Sequence, residues 1–446
     1  MTFLLNSSNE VLVCKHCIRM VHYGNICLRS LASVLLAMAL PLAACSGADT
    51  AQGGQQENNL GPESDTEPQT AYEVAEWLGM GWNLGNQMDA HAEGVASETC
   101  WGNPETTQAA FDKVKAAGFS SVRIPVTWLG HVGPAPDYEI DGAWLDRVEE
   151  IVGYAEKAGL NAIINIHHDG ADSAHWLSIK AAAEDEAANQ AIMAQIAAMW
   201  TQIALRFRDK GDFLIFEAFN EIHDGGWGWG ANRTDGGKQY RCLAQWNQTF
   251  VDAVRTAGGC NADRYLAVPG YCTNPELTIE YLELPEDSAK DRLLVSVHYY
   301  DPNEYTLTAK YSEWGHTASA GASAGENEEE HVKEIFSMLN SAFISKGIPV
   351  YLGEIGCVNR NSAREQAFQR YWFEYVVKTA RTYGLSAFVW DNGADGTGNE
   401  QHGFIEHGTG DFKSEPARLA VEAMVKAMES EDPDYTLDTV YENAPE

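Results

Sequence analysis

Eight short apolar runs, separated by stretches of helical periodicity, set the strongest limit on how this chain can fold. They are Gly79–Leu84, Ser120–Ile124, Ala162–Ile166, Phe213–Phe219, Tyr265–Val268, Leu293–Val297, Pro349–Leu352 and Ala387–Trp390. Each has strand length and is apolar at consecutive positions, the pattern of strands buried on both faces. Between them the period changes. Trp144, Val148, Ile151 and Ala155 share one helical stripe, and Ile192, Ile196, Met199, Ile203 and Phe207 share another. Strand and helix in alternation leave two architectures, an open doubly wound sheet or a closed barrel. No Gly-rich phosphate loop follows the first run, and polar residues fall at the ends of runs all along the chain. That distribution points to a barrel, whose site is assembled from the C-terminal ends of many strands. The expectation is an α/β protein with a single domain over residues 71–432, a (β/α)8 TIM barrel.

The residues upstream read as an address. Leu31–Ala44 is apolar, too short to span a bilayer, preceded by Arg29 and ended by small residues, as in a secretory signal. Leu42-Ala43-Ala44-Cys45 resembles a bacterial lipobox, which implies a lipid on Cys45 and removal of what precedes it. The stretch ahead of the signal is long, so Met20 is an alternative start. Residues 1–45 are therefore expected to be a signal peptide, and 46–70, rich in Gly, Gln, Ser, Glu and Pro, a flexible linker. The protein is expected to be exported as a lipoprotein at the cell surface, touching a membrane only through that lipid. Ser46 permits outer-membrane sorting. The acidic segment 433–446 is expected to be a loosely ordered tail. Cys14 and Cys17 fall in the leader. Of the five cysteines after Cys45, Cys242, Cys260 and Cys272 permit a disulfide in an oxidising compartment without fixing a pairing, and Cys100 and Cys357 complete the odd set.

Composition excludes some partners. With 30 Lys and Arg against 64 Asp and Glu, net charge −34, the chain lacks the basic footprint that nucleic acid requires. The acidity suits the solvated surface of an exported protein. Neutral polymers remain acceptable, and 13 Trp and 18 Tyr supply faces that lie against sugar rings.

The ends of the runs collect chemistry. Arg123 ends the second, His167 and His168 the third, Asn220 and Glu221 the fourth; His298, Tyr299 and Tyr300 end the sixth, Glu354 the seventh and Trp390 the eighth. Two carboxylates facing each other across a cleft are what acetal hydrolysis needs, one donating a proton and the other attacking or supporting the oxocarbenium-like centre. Arg123 would keep a nucleophile ionised, Tyr300 would donate to it, His298 would orient the acid and Asn220 would bond a sugar 2-hydroxyl. The plainer readings are strand-end ion pairs for the charged groups and core packing for the histidines and Trp390. His168 is open between a substrate-binding and a packing role, and so are Trp227, Trp229 and Trp314 between sugar platforms and packing. His167, His168 and Asp169 lack the helix-spaced ligands of a zinc site, so neither metal nor cofactor is expected.

Phe216-Glu217-Ala218-Phe219-Asn220-Glu221 and Val350-Tyr351-Leu352-Gly353-Glu354 resemble the two catalytic strands of glycoside hydrolase family 5. Gly79–Asn86, Trp101–Pro104, Val122–Trp128, Asn165–His168, His298–Tyr300 and Phe388–Trp390 resemble its subfamily 4, in the right order over nearly all of 72–430. The resemblance implies a retaining endo-β-1,4-glucanase, with Glu221 as acid/base and Glu354 as nucleophile. Arg123, His167, Asn220, His298, Tyr300 and Trp390 would surround them. One departure stands out: Ile222-His223-Asp224 follows Glu221 where members commonly have proline. A retaining pair should lie about 5–5.5 Å apart, with Glu221 at a raised pKa. The expected partner is β-glucan, bound by a monomer. The alternatives are a xylanase, mannanase or xyloglucanase on the same scaffold, or a non-catalytic glycan-binding surface lipoprotein.

Overall fold

The computed structural model describes residues 70–170 and 175–446. The expected signal, the lipobox and all but the last residue of the linker lie outside the described residues. Eight of the strands among the described residues build the barrel: β1 Met80–Leu84, β2 Ser121–Ile124, β3 Asn161–Asn165, β4 Leu214–Glu217, β5 Leu266–Pro269, β6 Leu293–Tyr299, β7 Val350–Ile355 and β8 Ser386–Asp391. All neighbours pair in parallel and the sheet closes, β8 and β2 both flanking β1. Each strand is followed by an outer helix: α1 Gln108–Ala116, α2 Gly142–Ala158, α3 Glu186–Arg206, α4 Lys238–Ala257, α5 Pro275–Tyr281, α6 Glu328–Ala342, α7 Ala363–Thr382 and α8 Glu415–Glu429. This is the (β/α)8 barrel expected from the apolar runs.

The runs are continuously apolar because each strand faces two apolar layers. Outward residues such as Val122, Ile164, Phe216 and Val295 pack with the helix stripes, Val148 and Ile151 of α2 and Ile196, Met199 and Ile203 of α3 among them. Inward residues form a second cluster: Ile163, Ile215, Ala267, Leu294, Tyr351 and Phe388. Val74 and Leu78 join it from a helix that precedes β1, Ala71–Leu78, which a Thr70–Glu73 capping box starts. Gly81 is required in this layer, since a Cβ there would lie 2.1 Å from the Phe388 ring. Further along five of the strands, on the same face, the interior turns polar: Asn83, Arg123, Asn165, Glu217 and Ser296, all buried. The barrel therefore has an apolar base and a polar floor beneath its C-terminal mouth.

Two open readings are decided and one expectation is corrected. Trp314 is no platform: it is fully buried, its ring 5.5 and 5.6 Å from those of Tyr371 and Tyr375 on α7. An aromatic just beyond a strand serves equally well as core. The segment after 432 is not loose. Thr436 caps a helix at Leu437–Glu442, Tyr441 stacks on His316 at 3.9 Å, and Lys378 and Lys426 lie over the Tyr435 ring. Its acidity concealed two aromatic anchors. No disulfide joins Cys242, Cys260 and Cys272.

The Trp314→Ala variant should lose about 3–5 kcal/mol in chemical denaturation, the cost of emptying a buried indole site. Trp229→Ala, at a residue 82% exposed, should change stability by no more than about 0.5 kcal/mol.

Candidate active site

The C-terminal mouth of the barrel opens into a cleft of about 910 Å³ lined by His167, His168, Asn220, Glu221, His298, Tyr300, Glu354 and Trp390. Arg123 lies beneath it, without exposed surface. Strand alternation alone would not bring Glu354 there. Tyr351 and Gly353 point inward, so Glu354 should point out. The β6–β7 ladder slips at this point: Val297 pairs with Leu352, but His298 pairs with Glu354 and Gly353 is skipped. The bulge puts two successive residues on the inner side. Only glycine fits, because a Cβ at 353 would lie 2.9 Å from Ser296 Oγ and 3.1 Å from His298 Nε2.

Arg123 organises the floor. Its Nε donates to Glu217 Oε2 at 2.8 Å, Nη1 to Glu354 Oε1 at 2.8 Å and Asn83 Oδ1 at 3.0 Å, and Nη2 to Asn220 Oδ1 at 2.8 Å. Burial opposes the guanidinium charge, but the Glu217 and Glu354 carboxylates outweigh it and the group stays ionised. Glu217 also accepts from Asn165 Nδ2, Ser296 Oγ and Tyr351 Oη at 2.8, 2.6 and 2.8 Å. Burial raises its carboxyl, while Arg123 and Ser296 bring the net shift below the usual range. Glu217, with Asn83, Asn165, Ser296 and Tyr351, was missing from the sequence-based site. The available signal was an ionisable residue inside an apolar run, which cannot be buried without a partner.

Above this floor stand the two glutamates. Tyr300 Oη donates to Glu354 Oε2 at 2.8 Å. His298 Nδ1 lies 2.7 Å from Glu221 Oε1 and 3.6 Å from Glu354 Oε2. One oxygen of each glutamate and one His298 nitrogen all fall within 4.8 Å of one another. For Glu221 burial pushes the carboxyl up, but the His298 hydrogen bond and electrostatics reverse the shift and its pKa is lowered. For Glu354 burial dominates, the Glu221 charge adds to it, and its pKa is raised despite His298 and Arg123. The expected elevation at Glu221 thus falls on its neighbour, because His298 engages only one of the pair closely.

The remaining residues frame the space. Asn165 Oδ1 accepts from Val126 N and its Nδ2 faces His167 Nδ1 at 3.2 Å, which leaves the His167 proton on Nε2. Burial, with the charges of His168, Arg123 and His298, holds that imidazole neutral. The Asn220 carbonyl is taken by Arg123, so its NH2 is the end left for a ligand. Trp390 lies parallel to His167, within 2°, over space that Gly85 leaves open. His168 lines the cleft with Nε2 3.4 Å from Asp89 Oδ2. Trp227 and Trp229 also line it, 59% and 82% exposed, Trp227 stacked on His223 at 4.2 Å. Their loop is pinned by the Asp224 carboxylate, which accepts from the amides of Gly226, Ala231 and Asn232. Asp89, His167 and His168 place donor atoms within 4.8 Å of one another. His167 offers no lone pair there, with Nδ1 facing Asn165 and Nε2 protonated. Asp169 is turned away, its oxygens accepting from Trp128 N and Trp176 Nε1.

Asp169 makes a pH prediction. Burial raises its carboxyl to about 6 against the backbone and Trp176 hydrogen bonds, so its contribution to stability is full below the unfolded value near 4 and is lost as pH rises through 6. Relative to wild type, Asp169→Asn should gain up to about 3 kcal/mol between pH 4 and pH 7 in denaturation experiments.

Residues 88–396 match the family model described as cellulase (glycosyl hydrolase family 5). Endoglucanase A of Paenibacillus barcinonensis is 35% identical over 358 residues, covering 76% of this chain and 86% of that protein. Among solved structures, a GH5-4 broad specificity endoglucanase from Bacteroides salanitronis is 55% identical at TM-score 0.80, covering 84% of this chain and 99% of its own. A Bacteroides ovatus GH5 xyloglucanase in complex with a XXXG heptasaccharide is 32% identical at TM-score 0.71, covering 81% and 77%. With a closed barrel, two glutamates facing each other over an arginine floor and these likenesses along the chain, the protein belongs to glycosyl hydrolase family 5.

Proposed function

We propose that this glycoside hydrolase, an endo-β-1,4-glucanase, works by double displacement with Glu354 as nucleophile and Glu221 as acid/base. The observation behind this reading is the Glu221–His298–Glu354 cluster, whose close carboxylates leave no room for a water between glutamate and sugar, as an inverting enzyme would need. Arg123 and Tyr300 fix Glu354 from two sides and favour its ionised form once Glu221 takes the shared proton. Glu354 then attacks the anomeric carbon while Glu221 protonates the leaving sugar oxygen. In the second half, Glu221 removes a proton from water, which releases the sugar with its configuration retained. Asn220 and the His167 Nε2–H face the sugar hydroxyls, Trp390 forms the platform beside the cleavage point, and Trp227 and Trp229 extend the wall. His168 contributes from the rim.

Similarity to endoglucanases and to a xyloglucanase supports a β-1,4-glucan backbone as substrate. The leader supports export and a lipid on Cys45, with residues 46–70 as tether to a monomeric barrel. Radiolabelled palmitate incorporation, lost in Cys45→Ala, tests the anchor.

Reducing-sugar release should be highest on barley β-glucan, carboxymethylcellulose or xyloglucan and lower on xylan and mannan, with the β-anomer formed first by NMR. Release of the α-anomer would refute the mechanism. Glu354→Gln should lose activity by a factor on the order of 10,000 or more while still binding cellotetraose. Glu221→Gln should lose about 100- to 10,000-fold on polymer and much less on aryl glycosides with good leaving groups. Removing the His298 hydrogen bond raises the Glu221 pKa, so His298→Asn should move the alkaline limb of kcat/KM to higher pH.

A further inference from the structure

The loop between β4 and α4 displays two indoles on a backbone that is fixed around them. Gly225, Trp227 and Gly228 all take left-handed backbone, with φ 89°, 50° and 83°. For glycine this is easy; for Trp227 it is a conformation that a bulky side chain seldom adopts. The chain doubles back so tightly that a Cβ on Gly226 would lie 2.4 Å from Gly230 Cα, and one on Gly230 would lie 2.2 Å from Asp224 Oδ1. The Asp224 carboxylate, which already pins three amides, also accepts from Gln239 Nε2 at 3.1 Å. Gly228 O accepts from Arg233 Nε at 2.6 Å and from Asn232 Nδ2 at 3.1 Å. Strain held in place by its surroundings is commonest where a side chain has to be presented to a ligand.

Each indole is backed by a polar side chain. The buried His223 ring, whose Nδ1 accepts from Gly225 N at 2.9 Å, stacks on Trp227, and the Arg233 guanidinium lies 4.7 Å from the Trp229 ring centroid. Both indoles nevertheless remain more than half exposed, and both line the cleft. Large apolar surfaces kept in water at a fixed place mark a binding face. The barrel tells which part of a glucan chain meets them. β4 and β8 lie opposite each other, with three strands between them on either side. Trp390 on β8 and Glu354 on the adjoining β7 attend the sugar that becomes bonded to the enzyme. Glu221, just past β4, has to face the departing oxygen, and Trp227 and Trp229 follow it on the same loop, across the barrel from Trp390.

We propose that Trp227 and Trp229 form the subsite for the leaving part of the glucan chain, each taking the apolar face of a sugar residue beyond the scissile bond, a role that rests on the glucanase reading above. Indole faces suit this task because a pyranose ring presents C–H groups on its flat side and keeps its hydroxyls at the edge, in water. Cleavage then depends on how far the chain extends past the cut, and the two tryptophans set that dependence without touching the reacting atoms.

Two substrates separate the sides of the cut. Cellohexaose places sugars on both; β-cellotetraosyl fluoride, followed by fluoride release, has a single atom as its leaving group. Trp227→Ala and Trp229→Ala should each lower kcat/KM for cellohexaose about tenfold. Fluoride release should stay within about twofold of wild type, a split that a merely structural role would not produce. Trp227→Tyr, which keeps an aromatic face, should recover most of the Trp227→Ala loss. Should Trp227→Ala fold poorly, the highly exposed Trp229→Ala still decides the matter. Wild-type kinetics on cellohexaose in the double variant would overturn the subsite, even if sedimentation then showed that the indoles cover a second copy of the chain. Equal losses on both substrates would overturn it too, and either result leaves the glucanase reading standing. Wild-type protein that cleaves neither substrate would overturn that reading instead.

Discussion

Arg123 is buried without exposed surface between two carboxylates, and the functional end of the barrel is arranged around it. A guanidinium in such a place is tolerable only when its charge is matched and its donors are met. Glu217 satisfies the first need below and Glu354 shares in it above, while Asn83 and Asn220 take further N–H groups. The same requirement that makes the interior stable also fixes Glu354 and the Asn220 amide, so the placing of both side chains is a by-product of satisfying one buried cation. Hydrogen-bond donors held in advance, in a site shielded from water, are the arrangement that stabilises developing charge best.

The two close glutamates differ through their neighbours rather than through identity. Glu354 is buried and Glu221 half-buried, and neither could be ionised freely beside the other. His298 sits against Glu221, and Arg123 with Tyr300 against Glu354. The opposite directions in which the two carboxyls are pushed, Glu221 down and Glu354 up, follow from those contacts.

Much of this was legible in the chain because β-strands buried on both faces leave continuous apolar runs. Their polar last residues could be read as a site, and Arg123, His167, Asn220, Glu221, His298, Tyr300, Glu354 and Trp390 do converge on one cleft. What escaped did so for physical reasons. Glu217 lies inside a run, where its partner across the barrel is invisible. The run at 349–352 stops short of the strand, which continues to Ile355, because a bulge and a glutamate interrupt the pattern. Trp314 and the Tyr435–Tyr441 segment show that aromatic content announces burial but not which surface is covered. The sign of the Glu221 shift needed a distance to His298, which no spacing in the sequence provides.

Gly353 ties reactivity to an atom that is not there. Were the ladder regular, Glu354 would point among the outer helices, where a carboxylate has no work to do. One skipped residue changes the parity of the strand, and the gap left by the missing side chain is filled by Ser296 and His298 themselves. A gain of one methyl group at this position would therefore do more than crowd the barrel: it would compete with the slip that turns an ordinary strand into a delivery of charge.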